Sequence, residues 1–336
     1  MTEQSKRKLE LIDEVYPAQR VQKSKERWES VWKGEKPEGR YPFAFGWTHF
    51  NPYNDYHTPQ ERLQKTLDGL IINGQFDDDL IPSVFPGLNN ASIPSMFGAA
   101  EIRCGIETVC EKIILKNEDI DQLPEPKILP KSAAQHWLDA ADYFMEETHG
   151  RIGVHICDMQ GPFDSAAQLF GYDNLFLCAM EDPARYHRLL NLTTQAFILL
   201  WSEQEKRLGN AFVNCHFGAY DWIPRSAGAT VSVDGLVMCS PNFYLEFVAP
   251  YITMIADALG GAVVHSCGDF RQVINELCAT KGVNGINASQ LSVRELFESG
   301  LDSTKTMIAS TDIGNFDEDI EFVLRNNLRA VFSVWQ

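Results

Sequence analysis

Short apolar runs alternate with helical patterns along most of the chain after residue 40. Eight runs have the length and composition of buried parallel strands, and they lie at 42–47, 79–85, 151–157, 211–217, 262–267, 283–288, 306–311 and 330–335. Strands that alternate with helices in this way predict an α/β fold, a (β/α)8 TIM barrel. An open doubly wound sheet is the alternative. Such a sheet usually has a glycine-rich phosphate turn after its first strand. Here the first strand is followed by Trp47-Thr48-His49, which contains no such glycines.

Several of the predicted helices begin at recognisable capping sequences. The segment Thr58–Glu61 reads as a capping box with proline at the first helical position. Asp182 precedes a helix that continues to about residue 207, and Ser240 precedes another. Pro250 lies inside this second helix and predicts a kink there.

The chain is predicted to form one barrel domain over residues 1–336, with residues 1–40 as a helical extension packed on it. Within the extension, residues 18–33 have the apolar spacing of an amphipathic helix. Residues 86–130 are long, irregular and rich in proline, and we expect them to form a lid or an excursion over the barrel mouth.

Composition and charge exclude some classes of partner. The 336 residues are 44% hydrophobic and 22% charged, as in ordinary soluble globular proteins. The net charge of −17 argues against nucleic acid, since phosphate binding needs clustered positive charge. The first twenty residues lack the apolar core of a signal peptide, and no run is long enough to span a bilayer. We therefore expect a cytoplasmic protein whose eight cysteines do not form a disulfide framework.

Polar side chains follow most of the predicted strands, at the end of a barrel where active sites lie. They include Asp158, Gln160, Asp221, Asp269, Gln290 and Asp312. Their convergence on one rim is typical of a small-molecule site. Aspartates in such positions also commonly cap turns, so each one alone has a structural alternative.

His265 and Cys267 form the sharpest candidate pair, in the run Gly260–Asp269. Residues two apart on a strand lie on the same side, so both would point into the barrel mouth. Imidazole and thiolate are ligands that zinc favours. The alternative is a buried histidine beside a small core cysteine, but the acidic and polar rim favours a metal. Cys239 is a weaker candidate for a third ligand.

Five segments occur in an order that resembles a known family. They are "QGPFDSAAQLFGYDNLFLCAMEDPARYHRLL", "DW", "SPNFYLEFVAPY", "HSCGD" and "NASQ", spread over about residues 150–315. Together they resemble the uroporphyrinogen decarboxylase superfamily, and especially its branch related to cobamide (corrinoid)-dependent methyltransferases. The resemblance implies a (β/α)8 barrel, in agreement with the strand pattern.

The resemblance implies two kinds of activity. True decarboxylases have an Arg-Gln-Ala-Gly-Arg segment near the N-terminus for the substrate carboxylates, whereas this chain has Phe45-Gly46-Trp47-Thr48-His49 in the comparable region. The methyltransferases hold zinc with His-x-Cys and a later cysteine. His265 and Cys267 match the first two ligands, and the later cysteine is absent from the final "AVFSVWQ". The third ligand would then be Asp221, His216 or Cys239, or the site would lack zinc.

The leading hypothesis is a zinc-dependent methyltransferase-like enzyme that moves a methyl group between a corrinoid, held by a partner protein, and a small acceptor or donor. The residues assigned to it are His265 and Cys267 as metal ligands, Asp221 as ligand or substrate anchor, and Asp158, Gln160 and Gln290 as polar contacts.

Two alternatives keep the barrel. One is a metal-free decarboxylase or lyase, which needs arginines at the mouth, for which Arg103 and Arg225 are candidates. The other is a non-catalytic barrel that binds a corrinoid or tetrapyrrole between aromatic side chains. Its candidate aromatic residues are Phe45, Trp47, Phe50, Tyr53 and Trp222. A homodimer is compatible with each hypothesis.

Overall fold

The fold is an α/β barrel in a computed structural model that describes residues 1–46, 58–87, 90–104, 107–157, 159–215 and 222–335. The strands are β1 (Phe43–Phe45), β2 (Ser83–Val84), β3 (Glu101–Cys104), β4 (Glu107–Cys110), β5 (Gly153–His155), β6 (Phe212–Val213), β7 (Ala229–Ser232), β8 (Ala262–Ser266), β9 (Val283–Ala288), β10 (Thr306–Asp312) and β11 (Arg329–Trp335). Except for the antiparallel hairpin β3–β4, all of their pairings are parallel.

Two parallel sheets make up the barrel wall. One has the order β1-β11-β10-β9-β8-β7 and the other β2-β5-β6. Along one seam, the backbone N–H of Asp79 donates to the carbonyl of Phe43 at 2.8 Å. Along the other, a parallel bridge joins Gln160 to Ser232, and the Asn214 amide donates to the carbonyl of Gly228 at 2.7 Å. The predicted TIM-barrel class is confirmed, and each of the eight predicted runs contains a strand.

Strand β7 is an addition to the predicted set. Its four residues, Ala-Thr-Val-Ser, are all buried, and they pair with β8. The strand begins after Gly228, whose φ of +91° is a conformation that favours glycine. A Cβ at this position would lie 2.0 Å from the carbonyl carbon of Gly261. The glycine therefore allows the start of β7 to approach β8 closely.

The helices are α1 (Glu3–Val15), α2 (Ala18–Trp32), α3 (Pro59–Asn73), α4 (Ser92–Ser95), α5 (Ala133–Thr148), α6 (Pro162–Phe170), α7 (Tyr172–Glu181), α8 (Pro183–Leu208), α9 (Pro241–Phe243), α10 (Ala249–Leu259), α11 (Ile274–Ala279), α12 (Val293–Glu298) and α13 (Phe316–Arg325). The capping box at Thr58–Glu61 and the helix starts after Asp182 and Ser240 are confirmed. A π-helical turn, Tyr244–Val248, joins α9 to α10 where Pro250 predicted an irregularity. Among the described residues, no helix has both the length and the apolar character needed to cross a membrane.

The N-terminal helices pack against the barrel through buried polar contacts as well as apolar ones. The buried Asp79 carboxylate accepts hydrogen bonds from Arg27, from Arg40 at 3.1 Å and from the Ser24 hydroxyl at 3.2 Å. The indole of Trp28 donates to the Asp79 carbonyl at 2.8 Å. These contacts fix α2 to the segment before β2, as expected of a helical extension on the barrel.

The segment 86–130 is more ordered than its sequence predicted. It contains α4, the hairpin β3–β4 and a 3-10 turn at Asn117–Gln122. The N–H groups of Ile113 and Ile114 both donate to the carbonyl of Leu169 at 3.1 Å, which ties the segment to the end of α6. Its role as a lid stays a prediction.

Candidate metal centre

Three side chains of the types that bind metal ions meet where β7 and β8 end. Parallel pairing places Ser232 opposite His265, so the turn after β7 brings Asp234 beside the end of β8. His265 Nε2 lies 3.3 Å from Cys267 Sγ and 3.6 Å from Asp234 Oδ1. The donor atoms of these three residues all lie within 4.8 Å of one another. His265 and Cys267 therefore face the same point, as their spacing predicted, and Asp234 joins them.

The hydrogen bonding of His265 orients its imidazole for ligation. Its Nδ1 contacts the side-chain oxygen of Asn287 on β9, and the amide nitrogen of Asn287 donates to the Ile308 carbonyl at 3.3 Å. Since the Asn287 oxygen can only accept, Nδ1 holds the proton and the Nε2 lone pair faces Cys267 and Asp234. Burial lowers the pKa of His265, against opposing contributions from Asp234 and Asn287. A neutral imidazole is the form that binds metals.

A buried carboxylate holds the turn that presents Asp234. Asp164, near the start of α6, accepts the backbone N–H of Asp234 and, at 3.0 Å, that of Gly235. The hydroxyl of Tyr172 donates to the same carboxylate at 2.8 Å. A Cβ on Gly235 would lie 2.5 Å from the Phe163 ring and 2.8 Å from Asp164 Oδ1. The Gly-Pro-Phe-Asp segment thus positions Asp234.

The structure places the two glutamines of the predicted site differently. Gln290 lies beside the metal-ligating cluster, because its Oε1 accepts the backbone N–H of Gly268 at 2.6 Å. Gln160 is buried next to the end of β7, and its carbonyl accepts the Ser165 hydroxyl at 2.9 Å. Asp158, His216 and Asp221 lie outside the described residues.

Cys239 does not join the cluster, although its place in the sequence made it a candidate ligand. Its thiol is buried and contacts the Gly235 carbonyl at 3.4 Å. Burial, with a smaller contribution from Asp164, raises the pKa of this thiol to about 12. Cys267, in contrast, is exposed. The side chain that joins His265 and Cys267 is Asp234, which the sequence did not indicate because β7 was not among the predicted strands.

Three further candidates have other surroundings. Trp222 and Arg225 line a cavity with residues that precede β5, β6 and β7, at the end of the barrel away from Cys267. Phe45 contacts Phe43 and Phe76 with ring centroids 5.5 and 5.3 Å apart. The remaining aromatic candidates, Trp47, Phe50 and Tyr53, fall outside the described part of the chain, as does the side chain of Arg103.

The cluster of Asp234, His265 and Cys267 suits a zinc ion. Zinc bonds of about 2.0–2.3 Å in tetrahedral geometry separate neighbouring donor atoms by about 3.3–3.7 Å. The separations of 3.3 and 3.6 Å from His265 Nε2 fall within this range, and the third separation, between the donor atoms of Asp234 and Cys267, is no more than 4.8 Å. The Asp234 carboxylate is 37% exposed and Cys267 is exposed, so a fourth position faces the mouth of the barrel. Three protein ligands with one open position are characteristic of catalytic zinc sites.

Comparisons with known proteins agree with this fold. The model of the uroporphyrinogen decarboxylase (URO-D) family matches residues 97–215. This match begins earlier than the resembling segments and ends before His265. A solved structure of a methyltransferase from Methanosarcina mazei superposes with a TM-score of 0.66 at 13% sequence identity, covering 91% of each chain. No curated protein matches the sequence.

Proposed function

We propose that this chain is a zinc-dependent, methyltransferase-like enzyme of the uroporphyrinogen decarboxylase superfamily, whose family model matches residues 97–215. It would move a methyl group between a corrinoid, held by a partner protein, and a small acceptor or donor. The observation that carries the proposal is the meeting of Asp234, His265 and Cys267 at the carboxyl ends of β7 and β8. The methyltransferase from Methanosarcina mazei shares the fold, and its activity favours this branch of the superfamily.

In this proposal the chain's own residues hold and orient the metal ligands. Asn287 keeps the proton of His265 on Nδ1, so that Nε2 is available for ligation. Asp164 fixes the turn that presents Asp234. A zinc ion at this cluster would lower the pKa of a substrate thiol at its open position and so favour the thiolate as a nucleophile.

The roles of the other polar residues follow from their places near the mouth. Gln290 holds the Gly268 N–H and so fixes the loop that follows Cys267. We assign substrate contacts to Gln160 and Asp158, and substrate anchoring to Asp221. In this proposal Asp234 has the ligand position for which Asp221 was one candidate.

The metal-free decarboxylase alternative loses one of its two candidate arginines. Arg225 donates to the carbonyl of Gly209, before β6, and stacks on Phe212 at 5.0 Å, far from the end of β8. Trp222 lies in the same region, which removes one aromatic residue from the tetrapyrrole-binding alternative.

The proposal is tested by metal content and methyl transfer together. We expect about one zinc per chain in the protein purified without chelator, and loss of zinc from Cys267→Ser, His265→Ala and Asp234→Ala. Cys239→Ser is the matched control, since that thiol contacts Gly235 instead of the cluster. Methylcobalamin and a panel of small thiols would then assay methyl transfer. An unchanged zinc content in Cys267→Ser would overturn the assignment of the ligands.

A further inference from the structure

A cavity of about 680 Å³ lies at the end of the barrel opposite the metal-ligating cluster. It is enclosed by α1 and α2 on one side and by the residues that precede β2, β5, β6 and β7 on the other. Small-molecule sites typically have volumes of about 300–1,000 Å³. The cavity is therefore large enough for a ligand, and it has no part in the chemistry assigned to Cys267.

Apolar and aromatic side chains line part of the cavity wall. Leu9 and Ile12 of α1 contribute one side, and Ile81 and Ile152 contribute another from the ends of the barrel strands. Trp222 adds a large aromatic surface. Such walls suit the hydrocarbon or aromatic body of a ligand, because they remove it from water.

The acidic side chains of the cavity are already paired with cations. Asp13 accepts from Arg151 at 2.5 Å, and Glu29 pairs with Lys33 at 3.0 Å. Each pair is charge-neutral, so neither carboxylate leaves a net negative charge facing the cavity.

Two cations of the cavity have no such compensation. The Lys25 ammonium lies 5.9 Å from the centre of the Trp222 ring, and the Arg225 guanidinium stacks on Phe212 at 5.0 Å. Within the described ranges, neither side chain has a carboxylate at ion-pair distance. The cavity is thus locally electropositive in a chain of net charge −17.

We propose that this cavity binds a small amphipathic anion, namely an aromatic carboxylate or sulfonate. The aromatic body lies against Trp222 and the aliphatic wall, and the anionic group pairs with Lys25 and Arg225. Because the ligand contacts α2 and the residues before β7 together, it also braces the N-terminal helices against the barrel. The inference does not depend on zinc or on methyl transfer.

The test uses two probes that share one ring system. 8-Anilinonaphthalene-1-sulfonate has an aromatic body and an anionic group, whereas N-phenyl-1-naphthylamine lacks the sulfonate. We expect one sulfonate probe per chain, with at least a roughly tenfold loss of affinity in a Lys25→Gln/Arg225→Gln double variant. The neutral probe should bind both proteins equally well. Lys6→Gln is the matched control, because Lys6 lies on the same helical extension and pairs with Glu3, and neither residue lines the cavity.

Circular dichroism checks that each variant is folded. If the double variant does not fold, Lys25→Gln alone decides the question, with a roughly threefold loss expected. Equal affinity of the sulfonate probe for wild type and the folded variant would overturn the proposal, since binding would then come from an unrelated apolar surface. Absence of saturable binding to the wild type would overturn it as well.

Discussion

Replacing Asp164 by asparagine tests whether a residue that is not a ligand controls the metal-ligating cluster. The wild-type carboxylate accepts three hydrogen bonds, two from the backbone of Asp234 and Gly235 and one from Tyr172. Asparagine has nearly the same shape but only one accepting oxygen. Its amide group would face a donor, so the variant leaves at least one buried N–H or O–H without an acceptor.

The expected loss follows from these contacts. An unsatisfied buried donor costs about 1–3 kcal/mol. The turn at Asp234 moves to relieve this cost, and the Asp234 carboxylate then leaves its place beside His265 Nε2. Loss of groups that orient metal ligands typically weakens metal binding by about 10–100-fold. We therefore expect Asp164→Asn to bind zinc at least about tenfold more weakly, which corresponds to ~1.4 kcal/mol.

Competition with a chromophoric chelator measures this affinity. Burial, with a smaller contribution from Asp234, raises the pKa of Asp164 to about 7, so a titration at about pH 8 keeps the wild-type carboxylate ionised. Tyr172→Phe is the control, because it removes one hydrogen bond from Asp164 and leaves the two backbone bonds in place. Equal zinc affinity in Asp164→Asn and wild type would refute the reasoning.

Two further predictions concern stability. Asp79→Asn should lower the free energy of unfolding in urea by about 3 kcal/mol, because Arg27 and Arg40 lose their buried partner. Asp77 is the exposed partner of Arg40, so Asp77→Asn should cost less than about 1 kcal/mol. Similar losses in the two variants would contradict this account. Burial lowers the pKa of His155 to about 4, so between about pH 6.5 and 4 the unfolded chain binds more protons than the folded one. The free energy of unfolding should therefore fall by roughly 3 kcal/mol as the pH decreases through this window. His155→Gln should flatten this pH dependence.

Local sequence patterns were sufficient for eight strands of the barrel and for two of the three residues of the cluster. The apolar runs identified eight strands because parallel strands covered on both faces are continuously apolar. The two-residue spacing of His265 and Cys267 placed both on one side of a strand without any tertiary information. The capping box at Thr58–Glu61 was equally local, since its hydrogen bonds span three residues.

The third member of the cluster depended on tertiary structure. Asp234 reaches His265 only through the pairing of β7 with β8, and β7 alternates apolar residues with Thr230 and Ser232 instead of forming a continuous apolar run. The available signal was a strand-like alternation of apolar and hydroxyl residues that ends at an aspartate, Ala229–Asp234. Trp222 was misplaced for a related reason: the chain returns to the amino ends of the strands after β6, where Arg225 bonds to the Gly209 carbonyl.

All three side chains of the cluster come from one continuous part of the chain, β7–α10–β8 and its adjoining turns. An ion held there would cross-link a single strand–helix–strand unit and leave the N-terminal half of the barrel, including the pairing of β2 with β5, without any new restraint. Metal release would therefore raise the amide exchange rates of β7 and β8 before those of α5 or α8. A metal ion at this centre would thus act as a local cross-link within one folding unit, and we expect the barrel to keep its shape without it.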